Sequence, residues 1–337
     1  MDSITHTVLG ACLGEAVAGK KMGKKAMLFG ILANNLPDAD VITALWNTEA
    51  HSLLSHRGIT HSILFAVVAT FGMMLLFEKW FSKYQLTRKE WLLLIGSGLF
   101  LHILLDACTT YGTGWFEPFS SYRVSFNTLF ILDPLLSMPI LLGTLLLLII
   151  KNSNLKARRI IFRTALTLST LYLLITASIK IHVNSVVKND LESKQMKFDS
   201  FYSTPAPMNN LLWYSYAVKD ETFYTGYYSI LDKQPTVDWT AYKRNDSLLF
   251  PYKQNSDVQD LIQFCKHHYY VSKKDSGIMI GDIRFGQLIG GDQQDPGFVF
   301  NFDIIPQADK SLKVSQSRFR DLSKDDLNRL MTRIKGI

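Results

Sequence analysis

Cysteine is scarce in these 337 residues, and Cys12, Cys108 and Cys265 stand far apart with no paired spacing, which implies no disulfide framework. A glycine-rich phosphate loop, a nucleophile elbow, an internal repeat and a low-complexity tract are all missing. Charge is missing too, over long stretches of the first half. Residues 62–77, 135–150 and 164–179 carry none, and 91–105 carries only His102. Each run is 15 or 16 residues, below the roughly 20 of a spanning helix, but polar flanks extend them, and they read as membrane helices. Two shorter apolar pieces precede them: 3–19, holding His6 and Glu15, and 26–36, stopped by Pro37, whose ring cannot continue a helix. Lys20, Lys21, Lys24 and Lys25 follow the first apolar piece instead of leading it, which argues against a cleaved secretory signal.

The formal charge of +7 would suggest nucleic acid only if the basic residues shared one face. They lie between the apolar runs instead. Lys20, Lys21, Lys24 and Lys25 form one cluster, Lys79, Lys83, Arg88 and Lys89 a second, and Lys151, Lys156, Arg158, Arg159 and Arg163 a third. The alternate loops, 46–61 and 107–127, hold only Arg57 and Arg123, so the positive-inside rule puts the basic loops in the cytoplasm. The expected fold is mainly α: a polytopic helical membrane domain over 1–183, followed by a small extracytoplasmic α+β domain over 184–337.

With that orientation, His6, Asp38, Asp40, His56, His61, His102 and Asp106 all fall at the outer face. Ionisable groups at membrane depth are costly unless something compensates them, and a divalent cation compensates several at once. His102 and Asp106 are four apart, on one helical face; Asp2 and His6 repeat that spacing, which makes Asp2 a weaker candidate. Asp38 and Asp40 flank one residue after the proline, and Gly58 permits a tight turn between His56 and His61. Four imidazoles and three carboxylates exceed one tetrahedral zinc and suit two zinc ions, with manganese or iron as alternatives. Such a centre would favour hydrolysis, with Asp38, Asp40 and Asp106 as candidate catalytic carboxylates, Arg57 as a phosphate-binding candidate, and Thr60 or Asn35 orienting ligands. Each piece alone has a plainer reading: a lone buried histidine is usually a satisfied core residue, and Pro37-Asp38 a turn. His51, His182, His267 and His268 do not share the pattern and read as structural or surface residues.

The stretches Asp2-Ser3-Ile4-Thr5-His6, Asn35-Leu36-Pro37-Asp38-Ala39-Asp40, His56-Arg57-Gly58-Ile59-Thr60-His61-Ser62 and His102-Ile103-Leu104-Leu105-Asp106 together resemble those of the bacterial inner-membrane metal-dependent hydrolases of the YdjM and YbcI type, over about residues 1–140. The resemblance implies a multi-pass inner-membrane protein whose site is similar to that of zinc-dependent phospholipase C. The location of the candidate ligands at the membrane's outer face, rather than the resemblance, suggests a lipid or lipid-linked phosphoester as substrate. Two other classes stay open: a metal or proton transport protein, and a non-catalytic metal-stabilised membrane regulator.

Beyond residue 195, aromatic and β-branched residues alternate with polar ones through 211–231, with Lys219-Asp220-Glu221 between the runs, and predict a β-hairpin. A helix is expected over 257–268, strands over 277–289 and 297–305, and an amphipathic helix over 323–335. Trp213, Tyr214 and Tyr216 read as sheet packing, or alternatively as a ligand platform.

Overall fold

The computed structural model describes residues 1–287, 289, 297–309, 311–317 and 323–337. Two compact units emerge: residues 1–42 with 55–177, and residues 43–54 with 178–337. The expected boundary at 183–184 falls inside one long helix that runs through the change of unit.

In the first unit, α1 (Ser3–Met22) begins at Asp2, whose carboxylate accepts from the Thr5 N–H at 2.9 Å, filling an orphan donor of the first turn. It ends at Gly23, whose positive φ of 59° turns the chain into α2 (Lys25–Asn35). These two helices touch backbone to backbone. A Cβ added at Gly14 would sit 2.1 Å from the Ala26 carbonyl oxygen, and one at Gly30 2.0 Å from that of Gly10. Pro37 then opens a 3-10 segment, Pro37–Leu45, where the expected interruption stood. The short helix α3 (Glu49–Ser55), whose residues 49–54 group with the second unit, follows, and a 3-10 turn, Ile59–His61, leads into α4 (Ile63–Trp80), capped by Ser62.

Helix α5 (Arg88–Ala107) starts with a Thr87/Glu90 capping box, and α6 (Pro134–Ile149) starts at Asp133. The last helix before the sheets, α7 (Leu155–Ser193), is 39 residues long. Among the described residues, α4, α5 and α7 are long and apolar enough to cross a membrane, and α6 is a shorter apolar helix. Their burial differs in kind. Val67, Val68, Phe71 and Leu75 of α4 are exposed, the pattern of a helix facing lipid, whereas Leu94, Ile95, Leu99 and Ile103 of α5 are buried. Helix α5 is thus the central post of this unit. It carries His102 and Asp106 at its C-terminal end.

The second unit contains two antiparallel meanders. The first orders β1 (Ser200–Pro205), β2 (Leu212–Lys219), β3 (Thr222–Ser229) and β4 (Thr240–Lys243); the second orders β5 (Tyr269–Lys274), β6 (Gly277–Gln287), β7 (Phe298–Pro306) and β8 (Leu312–Gln316). Strands β2 and β3 form the expected hairpin, in register from Leu212↔Ser229 to Lys219↔Thr222. Trp213, Tyr214 and Tyr216 are buried, Trp213 packing with Val183, Val187 and Leu191 of α7. Helices α8 (Ser256–Phe264) and α9 (Lys324–Ile334) stand where helices were expected, but α8 stops before the expected residue 268, where Lys266 and His267 take positive φ. The strand expected over 277–289 ends at Gln287, and residue 288 lies outside the described residues. Strands β1, β4, β5 and β8 were not anticipated; they are short or carry exposed polar residues that hide the two-residue period.

Candidate metal centre

Four segments of the first unit meet at one end of α5. His102 and Asp106 project from its last turns, one turn apart, and both are fully buried. His61 arrives at the end of the 3-10 turn before α4, and Asp38 at the start of the 3-10 segment after α2. The carboxylate or imidazole atoms of Asp38, His61, His102 and Asp106 lie within 4.8 Å of one another, and those of Asp38, Asp40 and His56 form a second such group that shares Asp38.

The inner group is crowded in a particular way. His61 Nε2 and His102 Nε2 are 3.2 Å apart, and each also faces two carboxylate oxygens: Asp106 Oδ2 at 3.2 and 3.3 Å, and Asp38 Oδ1 at 3.5 and 3.4 Å. Despite that proximity, Asp106 Oδ2 accepts a hydrogen bond from neither ring. Buried polar atoms are ordinarily satisfied, so a carboxylate oxygen left without a partner where two imidazole nitrogens and a second carboxylate converge points to a place able to hold a cation. The donor set is nitrogen and oxygen only, which fits zinc, manganese or iron. The residues present therefore fit a divalent metal.

His6 stands just behind this group. Its Nε2 is 3.2 Å from Asp106 Oδ1, and its ring stacks on His102 with centroids 3.8 Å apart. Asp106 Oδ1 also meets the Met1 amino group and, at 3.3 Å, Arg57 Nη2. Arg57 is buried as well: it donates to Thr109 Oγ1 at 3.0 Å and lies over the Tyr111 ring at 4.6 Å. The guanidinium considered for phosphate binding is thus held on Asp106.

Asp40 is the hub of the outer group. Its Oδ1 accepts from His56 Nδ1 at 2.8 Å, and its Oδ2 from the Arg57 N–H at 3.0 Å and the Thr60 hydroxyl at 2.9 Å, with His61 Nδ1 3.5 Å away. A carboxylate on the second nitrogen of a ligating imidazole fixes its tautomer and orientation; Asp40 is placed to do that directly for His56, and for His61 through the Thr60 hydroxyl, 3.1 Å from His61 Nδ1. Both aspartates outside the helices keep their charge. Burial pushes the Asp38 carboxyl up, but the His102 and His61 imidazoles outweigh it and hold the group well below the ordinary range. Burial likewise opposes, and the His56 imidazole overcomes, at Asp40.

Gly58 serves the turn differently from the expectation. The left-handed residue is Arg57, at φ 63°, while a Cβ at Gly58 would lie 2.8 Å from the Ser55 carbonyl oxygen and 2.9 Å from Glu117 Oε2. Asp2 caps α1 instead of joining the cluster, and Asn35 bonds the Ile31 carbonyl; Asn34, its neighbour, holds the His6 carbonyl at 2.7 Å.

Sequence reasoning missed the loop after α5. It clasps the His56–His61 turn, with Gly114 N–H donating to the Arg57 carbonyl at 2.8 Å, Ile63 N–H to that of Trp115 at 3.0 Å and Arg123 Nη1 to that of His56 at 2.8 Å. Burial pushes the Glu117 carboxyl in this loop up, against the pull of Arg123 and His61. One signal was available: Arg57 and Arg123 are the only lysine or arginine residues of the loops 46–61 and 107–127.

Comparison with known proteins points to one family. The family model of the YdjM inner membrane protein matches residues 1–183, the stretch that contains every member of the cluster. The chain belongs to the YdjM family. Inner membrane protein YbcI of Escherichia coli strain K12 is 34% identical over 122 residues, 36% of this chain and 69% of that protein. No solved structure matches the chain. Family membership and the spanning helices make this a membrane protein of the YdjM and YbcI family with a cluster able to hold a metal ion.

Proposed function

We propose that this YdjM-family chain is a metal-dependent hydrolase of the bacterial inner membrane that cleaves a phosphoester in a lipid-like substrate, with its site and C-terminal unit on the extracytoplasmic side. The observation that carries the reading is the convergence of Asp38, His61, His102 and Asp106 on one point, where Asp106 Oδ2 is buried without a hydrogen-bond partner. These four would hold the first zinc. A second would share Asp38 with Asp40 and His56 and bind more weakly, because Asp40 already accepts from three donors. A bound divalent cation would supply a Lewis acid and an acidified water at neutral pH.

The chain's own groups have separate tasks. Asp38 is the most exposed carboxylate of the inner group, with one-fifth of its side chain accessible, so it is the one that water can reach and the one to take a proton. Asp106 and Arg57 form a buried charge pair that keeps His6 and His102 oriented. Asp40 fixes the His56 ring directly and the His61 ring through the Thr60 hydroxyl. Support for a lipid-like substrate comes from the loops around the ligands, where Val41, Ile42, Ile59, Phe116, Phe119 and Tyr122 are exposed outside any spanning helix. Apolar and aromatic residues at that level suit the membrane interface.

Transport has less support. A conducting path needs polar groups through the bilayer, but Glu15, the one acidic residue of α1, is locked to Arg158 by two hydrogen bonds of 2.8 and 2.6 Å. The test is metal analysis of the purified chain in nanodiscs, with phosphodiesterase and lipid-phosphatase assays before and after chelation. Bound zinc with turnover that chelation abolishes and zinc restores is expected. Zinc bound tightly with no turnover on any phosphoester lipid would sink the hydrolase and leave the regulator, and ion flux lost in His102→Ala would favour transport.

A further inference from the structure

Residues 43–54 are out of place. They lie in sequence between Asp40 and His56, yet they group with residues 178–337. Polar contacts from α3 and the residues before it help to hold them there. The Thr48 hydroxyl donates to Asp257 Oδ1 at 2.8 Å, His51 Nδ1 lies 3.0 Å from Asp260 Oδ2, and the Gln316 N–H donates to Glu49 Oε2 at 2.9 Å. Asp257 and Asp260 are three apart on α8, so one helical face presents both.

We infer that this segment is a strap by which the C-terminal unit positions Asp40, and through it the histidines of the cation site. The inference rests on reading the cluster as such a site. Its two ends are the reason. Thr43 follows Asp40 by three residues and Leu54 precedes His56 by two, so whatever fixes the strap limits how far the Asp40 carboxylate can move from His56 Nδ1, the Arg57 N–H and Thr60. Each anchor is weak alone, since His51 is half exposed and surface pairs contribute little. Three on one short segment act together by removing its freedom, and neither α8 nor β8 contains any residue of the cluster. Asp257, Asp260 and Gln316 are therefore positioning residues. The C-terminal unit would make the site responsive to anything that displaces the strap.

The test is the double variant Asp257→Ala/Asp260→Ala in the full chain, compared with Asp257→Asn/Asp260→Asn, which keeps the acceptor oxygens. Hydrogen exchange of the peptide containing the Arg57 amide reports the Asp40 contact without any metal, and titration with zinc reports the site. The alanine variant should exchange that amide about tenfold faster and bind zinc about tenfold more weakly, the lower end of what loss of a partner behind a ligand costs. Protection of β2 and β6 should not change, and the asparagine variant should recover most of both effects. Faster exchange of 43–54 itself, with the Arg57 amide and zinc affinity unchanged, would overturn the inference. If the wild-type chain bound no zinc, the hydrolase reading would fall, while the Arg57 amide would still decide for or against the strap.

Discussion

Two clusters of buried charge sit in the helical unit, and they are built on opposite principles. At Glu15 and Arg158 every charged atom has a partner: the carboxylate takes two guanidinium donors, and Arg158 Nη1 gives its remaining hydrogens to the carbonyls of Leu147 and Ile150 at 2.8 and 3.0 Å. At the other cluster Asp106 Oδ2, His102 Nδ1, His6 Nδ1 and Arg57 Nε are all buried without a hydrogen-bond partner. The first closes on itself and ties α1 to α7; the second leaves ligand atoms that could hold a metal ion. Burial of charge marks a functional site only where the local bonds do not balance.

That contrast can be broken by experiment. Removing one partner of the closed pair, in Glu15→Leu, should destabilise the protein by about 3–5 kcal/mol, and the double variant Glu15→Leu/Arg158→Met should recover most of it. Thermal unfolding in detergent measures this, and zinc content per folded chain should not change. A Glu15→Leu protein that lost its metal while folded would erase the distinction. At the open cluster the effects should be reversed: His61→Ala should weaken zinc binding by at least about 100-fold, since even groups behind a ligand cost 10–100-fold, with little loss of stability in the metal-free state. A metal-free His61→Ala chain that unfolds as readily as Glu15→Leu would show the imidazoles to be structural.

The smallest effect concerns pH. Asp38 and Asp40 are held below their ordinary 3.8 in the folded chain, so the unfolded chain binds more protons as pH falls past that value. Their contribution to the stability of the metal-free protein is complete above about pH 4 and drains away as the pH drops towards the folded values. Asp38→Asn should flatten that decline. Denaturant midpoints at pH 6 and pH 3 for the two proteins give the comparison, and an equal decline in both would show that Asp38 is not held by its imidazoles.

The types of residue in the site were legible because few side chains explain histidines and aspartates at the ends of apolar runs. Their division of labour was not. Asp40 and Asp38 are two residues apart and look alike in sequence, yet one binds three donors of the His56–His61 turn while the other joins both clusters of potential ligands. Arg57 could face outward or inward with equal ease in sequence; its left-handed backbone and the Tyr111 ring send it inward to Asp106. The loop holding Glu117 and Arg123 had no period to read.

What the sequence determined by itself follows from local rules. Charge-free runs fixed α4, α5, α6 and α7, Pro37 fixed the end of α2, and alternation fixed the β2–β3 hairpin, because hydrophobic period and proline geometry act over a few residues. Tertiary structure alone decided which imidazole faces which oxygen, that His6 stacks on His102 from 96 positions away in the chain, and that residues 43–54 leave their neighbours for the C-terminal unit. Such contacts depend on how distant helices pack, and no local pattern of residues encodes that packing.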